Sequence, residues 1–138
     1  MSQNLFLIEY TSSNDGKLYE SNAEVIGSCF INNYYIELFE KNSFFDNVRL
    51  YEDVSSNDYT LIKIINCENL RDIFIKLEKE FFYLIDTTVN KNSDENIIFS
   101  DKDTMDKMDK FRILTNIEYL FRIKKEKYID DKFVIKIG

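Results

Sequence analysis

The strongest constraint on the fold is a helical repeat of apolar residues between Cys67 and Thr87. The apolar positions step by three or four residues, which is the spacing of an amphipathic helix with one wide buried face. Asn66 is the predicted N-cap, and Glu68 lies in the first turn, where the helix dipole favours an acid. The residues that carry the repeat are Cys67, Leu70, Ile73, Phe74, Leu77, Phe81, Leu84 and Ile85.

A second helix is predicted over Thr104–Lys125, with its start between Ser100 and Thr104. Its core face carries Met108, Phe111, Leu114, Ile117 and Phe121, with Ile113 and Leu120 beside them. The basic residues Arg122, Lys124, Lys125 and Lys127 crowd its end, where cations complement the carbonyl-rich terminus. We interpret this basic cluster as a helix end and not as a phosphate or membrane contact.

Four short segments have the composition of β-strands. They are Asn4–Tyr10, Val48–Asp53, Tyr59–Ile65 and Phe133–Ile137. Turn residues separate them at Asn14-Asp15-Gly16 and at Ser55-Ser56-Asn57-Asp58. The strands therefore lie mainly in the first half of the chain, with one at its end.

Residues 24–40 are ambiguous, because β-branched and aromatic residues fill both halves of the segment. Asn32-Asn33 divides it into Glu24–Ile31 and Tyr34–Glu40, so we predict a β-hairpin. The alternative is a helix over the second half, where Phe30, Tyr34 and Leu38 recur at helical spacing. Further along, Asn90–Glu95 is expected to be a loop and Asn96–Phe99 a short extended piece.

The predicted order of strands, helix, helix and strand indicates one α+β domain over residues 1–138. We expect an antiparallel or mixed sheet with two amphipathic helices packed on one face. With 44% hydrophobic residues, the chain can bury a substantial core. No apolar run approaches the length of a membrane span, and no secretory signal is visible, so a cytoplasmic protein without membrane contact is expected.

The missing residue types exclude most catalytic and cofactor sites. The chain has no His, which removes the commonest general base and the commonest metal ligand. Its three glycines are scattered, so no phosphate-binding loop can be formed. The acidic run Asp101–Lys110 lacks the central Gly and the closing Glu of a calcium loop. We expect no cofactor, no metal and no enzymatic activity, although chemistry by carboxylates alone stays possible.

Charge is distributed unevenly along the chain. Residues 1–66 hold ten acids and four bases, whereas the remaining 72 residues hold 15 acids and 14 bases. Tyrosines accompany several of the acids, and such a surface suits a basic protein partner. Carboxylates steer and pair with the partner's Lys or Arg, and tyrosine rings supply anchors and a face for cation–π contact. The candidate partner-binding residues are Tyr19, Glu20, Glu24, Glu37, Glu40, Asp46, Tyr51, Glu52, Asp53, Asp58 and Tyr59.

In size, acidity and lack of catalytic residues, the chain resembles the small immunity proteins of bacterial contact-dependent inhibition and related polymorphic toxin systems. That resemblance implies an inhibitor that neutralises a basic toxin, most plausibly a nuclease, by stoichiometric binding. Phage-encoded inhibitors such as anti-CRISPR proteins share the same character. A homo-oligomeric structural or adaptor protein is the alternative from another class, and the sequence leaves the oligomeric state open. With a net charge of −7, we expect no nucleic-acid partner.

Overall fold

Strands and helices follow one another in an order that only partly matches the predicted one. The computed structural model describes residues 3–92 and 101–138. The strands are β1 (Gln3–Ser12), β2 (Leu18–Ile31), β3 (Phe45–Tyr51), β4 (Tyr59–Ile65) and β5 (Phe133–Ile137). The helices are α1 (Asn33–Lys41), α2 (Leu70–Asn92) and α3 (Asp101–Glu126), and a 3-10 turn at Cys67–Asn69 leads into α2.

The five strands form one mixed sheet, which closes into a barrel in the order β1-β2-β3-β4-β5. All neighbours are antiparallel except β2 and β3, which run parallel where Leu18 and Tyr19 meet Leu50 and Tyr51. The α+β class and the mixed sheet are therefore confirmed. The expectation of a sheet simply covered by helices is wrong, because β5 pairs with β1 on one side and with β4 on the other.

The two faces of β1 enter two different cores. Leu5 and Leu7 belong to a large outer core, to which α1 contributes Phe39, α2 Leu77 and α3 Phe121. Alternate residues of β1 point to opposite faces of the sheet. Its other face contributes Ile8 and Tyr10 to a second, smaller core with Leu50, Ile62 and Val134. Since every strand places an apolar residue in or against this second core, we infer that it fills the barrel.

Helix α3 lies closest to the sheet. It contacts β2 and β1 through its buried face, which carries Leu114, Ile117, Leu120 and Phe121. At Gly27 of β2 a Cβ atom would lie 3.5 Å from the Leu120 side chain, an ordinary van der Waals distance, so α3 packs directly on the strand at this point. Helix α2 packs on α3, with the rings of Phe81 and Phe111 6.5 Å apart.

The predicted hairpin over residues 24–40 is wrong, and the helical alternative is correct for its second half. Asn32 caps α1, since its side-chain oxygen accepts a hydrogen bond from the Tyr35 amide at 3.1 Å. The cap turns the chain into a helix that buries Tyr35 and Phe39 in the outer core. The preceding residues extend β2, which pairs with β1 instead of with residues 34–40.

The other predicted elements are confirmed, with changed boundaries. The turn after β1 uses Gly16, whose φ of +81° few other residues adopt readily. Asn66 caps the 3-10 turn by accepting from the Glu68 amide at 3.0 Å. Helix α2 continues to Asn92, so the loop expected at Asn90–Glu95 is wrong for its first three residues. Its remainder and the extended piece at Asn96–Phe99 lie outside the described residues. In the chain that the structure describes, no helix is long and apolar enough to cross a membrane.

Lys124 shows what one residue of the basic cluster does. Its side chain is buried, and the ammonium donates to the carbonyl oxygens of Tyr128 at 2.7 Å and Asp130 at 3.0 Å. The cation thereby satisfies carbonyl groups where the chain leaves α3 and turns toward β5. The predicted interaction between a cation and the carbonyl groups at the end of the second helix is therefore present at Lys124.

We predict that Lys124→Met lowers the free energy of unfolding by about 2–3 kcal/mol, because two partly buried carbonyl oxygens lose the charged ammonium that donates to them. Lys127→Met is the matched control, since Lys127 is exposed and its loss should cost less than about 0.5 kcal/mol. Urea unfolding of the three proteins gives the comparison. Equal effects of the two substitutions would show that Lys124 has no such role.

Tyr35 is the opposite case, a buried polar group without a partner. Its ring is fully buried and lies edge-on to Tyr34 at 5.0 Å, and burial raises the pKa of its hydroxyl. Within residues 3–92 and 101–138, the structure provides no hydrogen-bond partner for that hydroxyl. An unsatisfied hydroxyl in the core reduces stability.

We therefore predict that Tyr35→Phe leaves the free energy of unfolding unchanged or raises it by up to about 1 kcal/mol. The usual result for a hydrogen-bonded tyrosine is a loss of about 1 kcal/mol. Thermal and urea unfolding can separate the two outcomes. A loss above about 1 kcal/mol would show that the hydroxyl is bonded in solution.

Candidate functional site

The three candidate anchor tyrosines meet at one end of the barrel. Tyr19 is the second residue of β2, Tyr51 ends β3 and Tyr59 begins β4, and the pairing register places them side by side. The ring centroids of Tyr19 and Tyr51 are 6.0 Å apart, and those of Tyr51 and Tyr59 are 5.7 Å apart. We call these three residues the tyrosine ladder. Cross-strand aromatic pairs of this kind stabilise the sheet end that carries them.

Two basic residues of the chain lie on the tyrosine ladder. The Lys17 ammonium is 5.0 Å from the centroid of the Tyr51 ring, and the Arg49 guanidinium is 4.6 Å from that of Tyr59. A hydrogen bond to Tyr51 raises the pKa of Arg49. These cation–π contacts occupy the ring faces that we expected a partner's Lys or Arg to use.

Exposed carboxylates surround the tyrosine ladder. Glu20 follows Tyr19, Glu52 and Asp53 follow Tyr51, and Asp58 precedes Tyr59, all of them exposed. The side chain of Asp53 accepts from the Ser55 hydroxyl at 2.7 Å and from the Ser55 amide at 2.9 Å. Those hydrogen bonds lower the pKa of Asp53, so it stays ionised to lower pH than an ordinary carboxyl.

The turn between β1 and β2 joins the tyrosine ladder to an open groove of about 480 Å³. Ser13 contacts the Tyr19 hydroxyl at 3.5 Å, and the same residue lines the groove. Four carboxylates, from Asp46, Glu68, Asp130 and Asp131, also line it, and none of its described lining residues is basic. We call this feature the acidic groove. The groove adjoins the ladder at Ser13 and extends to Asp46 and Ile64, at the ends of β3 and β4 away from Tyr51 and Tyr59. We call the ladder, its carboxylates and the acidic groove together the negative surface.

The structure brings eight of the eleven candidate partner-binding residues to the ladder or the groove and places the other three elsewhere. Seven of them form the tyrosine ladder and its carboxylates, and Asp46 lies in the acidic groove. Glu24 lies on β2 opposite Glu9 of β1. Glu37 and Glu40 belong to α1, which connects the other ends of β2 and β3, and Glu40 pairs with Lys63 at 3.1 Å. These last three residues are not part of the negative surface.

The three ladder tyrosines differ in the solvent exposure of their side chains, and therefore in whether they can contact a partner. Tyr59 is 46% exposed and can contact a partner directly, and Tyr51 is half-buried. Tyr19 is only 5% exposed, so it supports the other two rings and offers a partner little surface. This corrects the expectation that all three tyrosines are contact anchors.

Sequence reasoning missed the carboxylates of Glu68, Asp130 and Asp131. They belong to the second part of the chain, where acids and bases nearly balance, so their segment showed no net excess. A signal was nevertheless present, because Asp130 and Asp131 interrupt the pattern just before β5. Pairing of β5 with β1 brings them beside the β1–β2 turn.

The chemical groups that this surface offers are exposed carboxylates and tyrosine rings. The four groove carboxylates are all exposed. Burial raises the pKa of the Cys29 thiol to about 11, which makes it a poor nucleophile. Among the described residues, no group of three or more metal-ligating side chains could hold a metal ion. Comparison with protein-family models, curated proteins and solved structures finds no match to this chain.

We predict that Tyr51→Ala lowers the free energy of unfolding by about 2 kcal/mol, because the central ring contacts both neighbours and Lys17. Tyr59→Ala should cost less than about 1 kcal/mol, since that ring is at the exposed end of the ladder. Chemical denaturation measures both. If Tyr59→Ala proves as costly as Tyr51→Ala, the ring of Tyr59 is not the exposed end of the ladder in solution.

Proposed function

We propose that the chain is a non-catalytic inhibitor that binds a basic protein through the tyrosine ladder and the acidic groove. The observation that carries the proposal is the excess of exposed carboxylates over cations at these two features, which adjoin at Ser13. Among the described residues, the exposed carboxylates of Glu20, Glu52, Asp53 and Asp58 accompany two cations, Lys17 and Arg49, at the ladder, and Lys17 also pairs with Asp15 at 3.7 Å. The adjoining groove adds four more carboxylates.

Each part of this surface has a distinct role in the proposal. The exposed carboxylates steer the basic partner and pair with its Lys and Arg side chains. The ring of Tyr59 supplies apolar contact area at the rim. Lys17 and Arg49 hold the rings of Tyr51 and Tyr59 in place, so the partner's cations meet carboxylates and not ring faces. A preorganised surface loses less entropy on binding.

The biological role that fits this surface is that of an immunity protein acting in the cytoplasm against a basic toxin domain with nuclease activity. A nuclease must bind phosphate groups and therefore carries a positive active-site surface. A small acidic protein that covers such a surface blocks substrate without chemistry of its own. The toxin domain to test is the C-terminal domain of any large secreted protein whose gene adjoins the gene of this chain.

Glu52→Lys with Asp53→Lys should slow association with that domain by about tenfold or more at low salt, because steering charges act on the encounter rate. Raising the salt concentration should reduce the difference between variant and wild type, since exposed charges are screened. Stopped-flow or surface-based kinetics measure both effects. The variant should also fail to protect cells that express the domain.

The matched control is Glu37→Lys with Asp106→Lys, which changes the net charge equally at two exposed positions outside the proposed surface. Its association rate should stay within about twofold of the wild-type rate. If the control slows association as much as the ladder variant, total charge and not this surface drives binding. Absence of binding by the wild-type chain would refute the proposal itself.

A further inference from the structure

Helix α2 carries an apolar line on the side that faces away from the core. Ile73, Leu77 and Leu84 bury its inner face, while Ile75 is 42% exposed and Phe82 58% exposed on the outer one. Seven residues turn an α-helix by about 700°, about 20° short of two full turns. Ile75 and Phe82 therefore lie almost on one line along the helix, about 10 Å apart.

Charged residues flank this apolar line in two rows of alternating sign. Asp72, Lys79 and Asp86 lie seven apart on one side, and Arg71 and Glu78 lie seven apart on the other. All five side chains are exposed. We call this pattern, from Arg71 to Asp86, the outer face of α2. It differs from the tyrosine ladder because its charges balance nearly evenly.

We infer that the outer face of α2 docks on the same face of a second copy of this chain, with the two helices parallel and in register. In a parallel pair with two-fold symmetry, one edge of each helix meets the opposite edge of the other at the same height. Lys79 then meets Glu78 of the second copy. Likewise Asp72 meets Arg71 of the second copy, and symmetry doubles both contacts.

The apolar residues decide the direction of the pair. In the parallel arrangement Ile75 packs on Ile75 of the second copy, and Phe82 packs on Phe82. An antiparallel pair crossing at Ile75 also matches the charges, because Lys79 meets Asp72, but it places Phe82 near Glu68 of the second copy. An antiparallel pair crossing between residues 78 and 79 matches Ile75 with Phe82 but sets Glu78 against Glu78. Of these arrangements, only the parallel one matches both charge and apolarity.

The proposed dimer is expected to have low affinity, because only one pair of helices forms its interface. One helix pair buries less area than the roughly 1,200–2,000 Å² of a stable interface. Asp86 lies close to the apolar line, so it faces Asp86 of the second copy, and like charges there oppose docking. A dissociation constant on the order of 0.1 mM is expected for such a contact.

Sedimentation equilibrium of the full chain from about 10 µM to 1 mM tests the docking. The wild type should pass from monomer to dimer over this range, and Asp86→Asn should tighten the dimer about threefold or more. Phe82→Glu should abolish it. Val54→Glu is the matched control, because Val54 is 74% exposed outside the helix, and it should leave the dimer unchanged. Circular dichroism confirms that each variant is folded.

Charge swapping then tests the direction. Glu78→Lys and Lys79→Glu should each weaken the dimer about threefold or more, and the double variant should restore it, because the parallel pair needs only opposite signs at these two positions. In the antiparallel pair crossing at Ile75, the double variant would be weaker than either single one. A wild type that stays monomeric at 1 mM, a dimer that survives Phe82→Glu, or a double variant without restored association overturns the inference.

Discussion

Burial of β1 on both faces and hydrogen bonding on both edges is the constraint on which the rest of the structure depends. The strand pairs with β2 and β5, places Leu5 and Leu7 in the outer core, and places Ile8 and Tyr10 in the core of the barrel. A strand with two buried faces needs apolar residues at nearly every position. The segment from Leu5 to Tyr10 meets that need with a single charged residue, Glu9.

The two-sided role of β1 also positions both proposed surfaces. Closure of the barrel through β5 carries Asp130 and Asp131 to the β1–β2 turn, where they complete the acidic groove. Helix α3 occupies the outer side of β1 and β2, so α2 packs on α3 and keeps one face outside. The ladder and the outer face of α2 use separate elements. The proposed self-association through α2 and the proposed binding at the ladder therefore use different residues, although the acidic groove reaches Glu68, three residues before Arg71.

Periodicity predicted the elements that bury one face along their whole length. The apolar repeat of Leu70, Ile73, Leu77 and Leu84 is sufficient to predict α2. Strand β5 differs, because it buries Val134 in the barrel core and Ile135 in the outer core, on opposite faces. Residues 24–40 were harder, because aromatic residues suit strand and helix alike and the side-chain cap at Asn32 decides between them. Barrel closure was not predictable, since it depends on pairing of β5 with a strand more than 120 residues earlier.

The candidate surface, like the fold, was predictable only in part from the sequence. Neighbouring tyrosines and acids in the sequence indicated the ladder end, because each lies next to a strand boundary. Burial of Tyr19 and the cations on Tyr51 and Tyr59 were not predictable, since they depend on the register between strands. Glu37 and Glu40 were included because they share a charge-rich segment, yet helix α1 places them at the other ends of the strands.

Native-state hydrogen exchange of the amides in β1 tests the central structural claim most directly. If both cores depend on this strand, the amides of Leu5, Leu7 and Ile8 should exchange only through global unfolding, with a free energy equal to that of the whole protein. The amides on the outer face of α2 should exchange faster, through local opening. Faster exchange in β1 than in α2 would contradict the account, because the helices would then be the stable unit and the barrel an appendage to them.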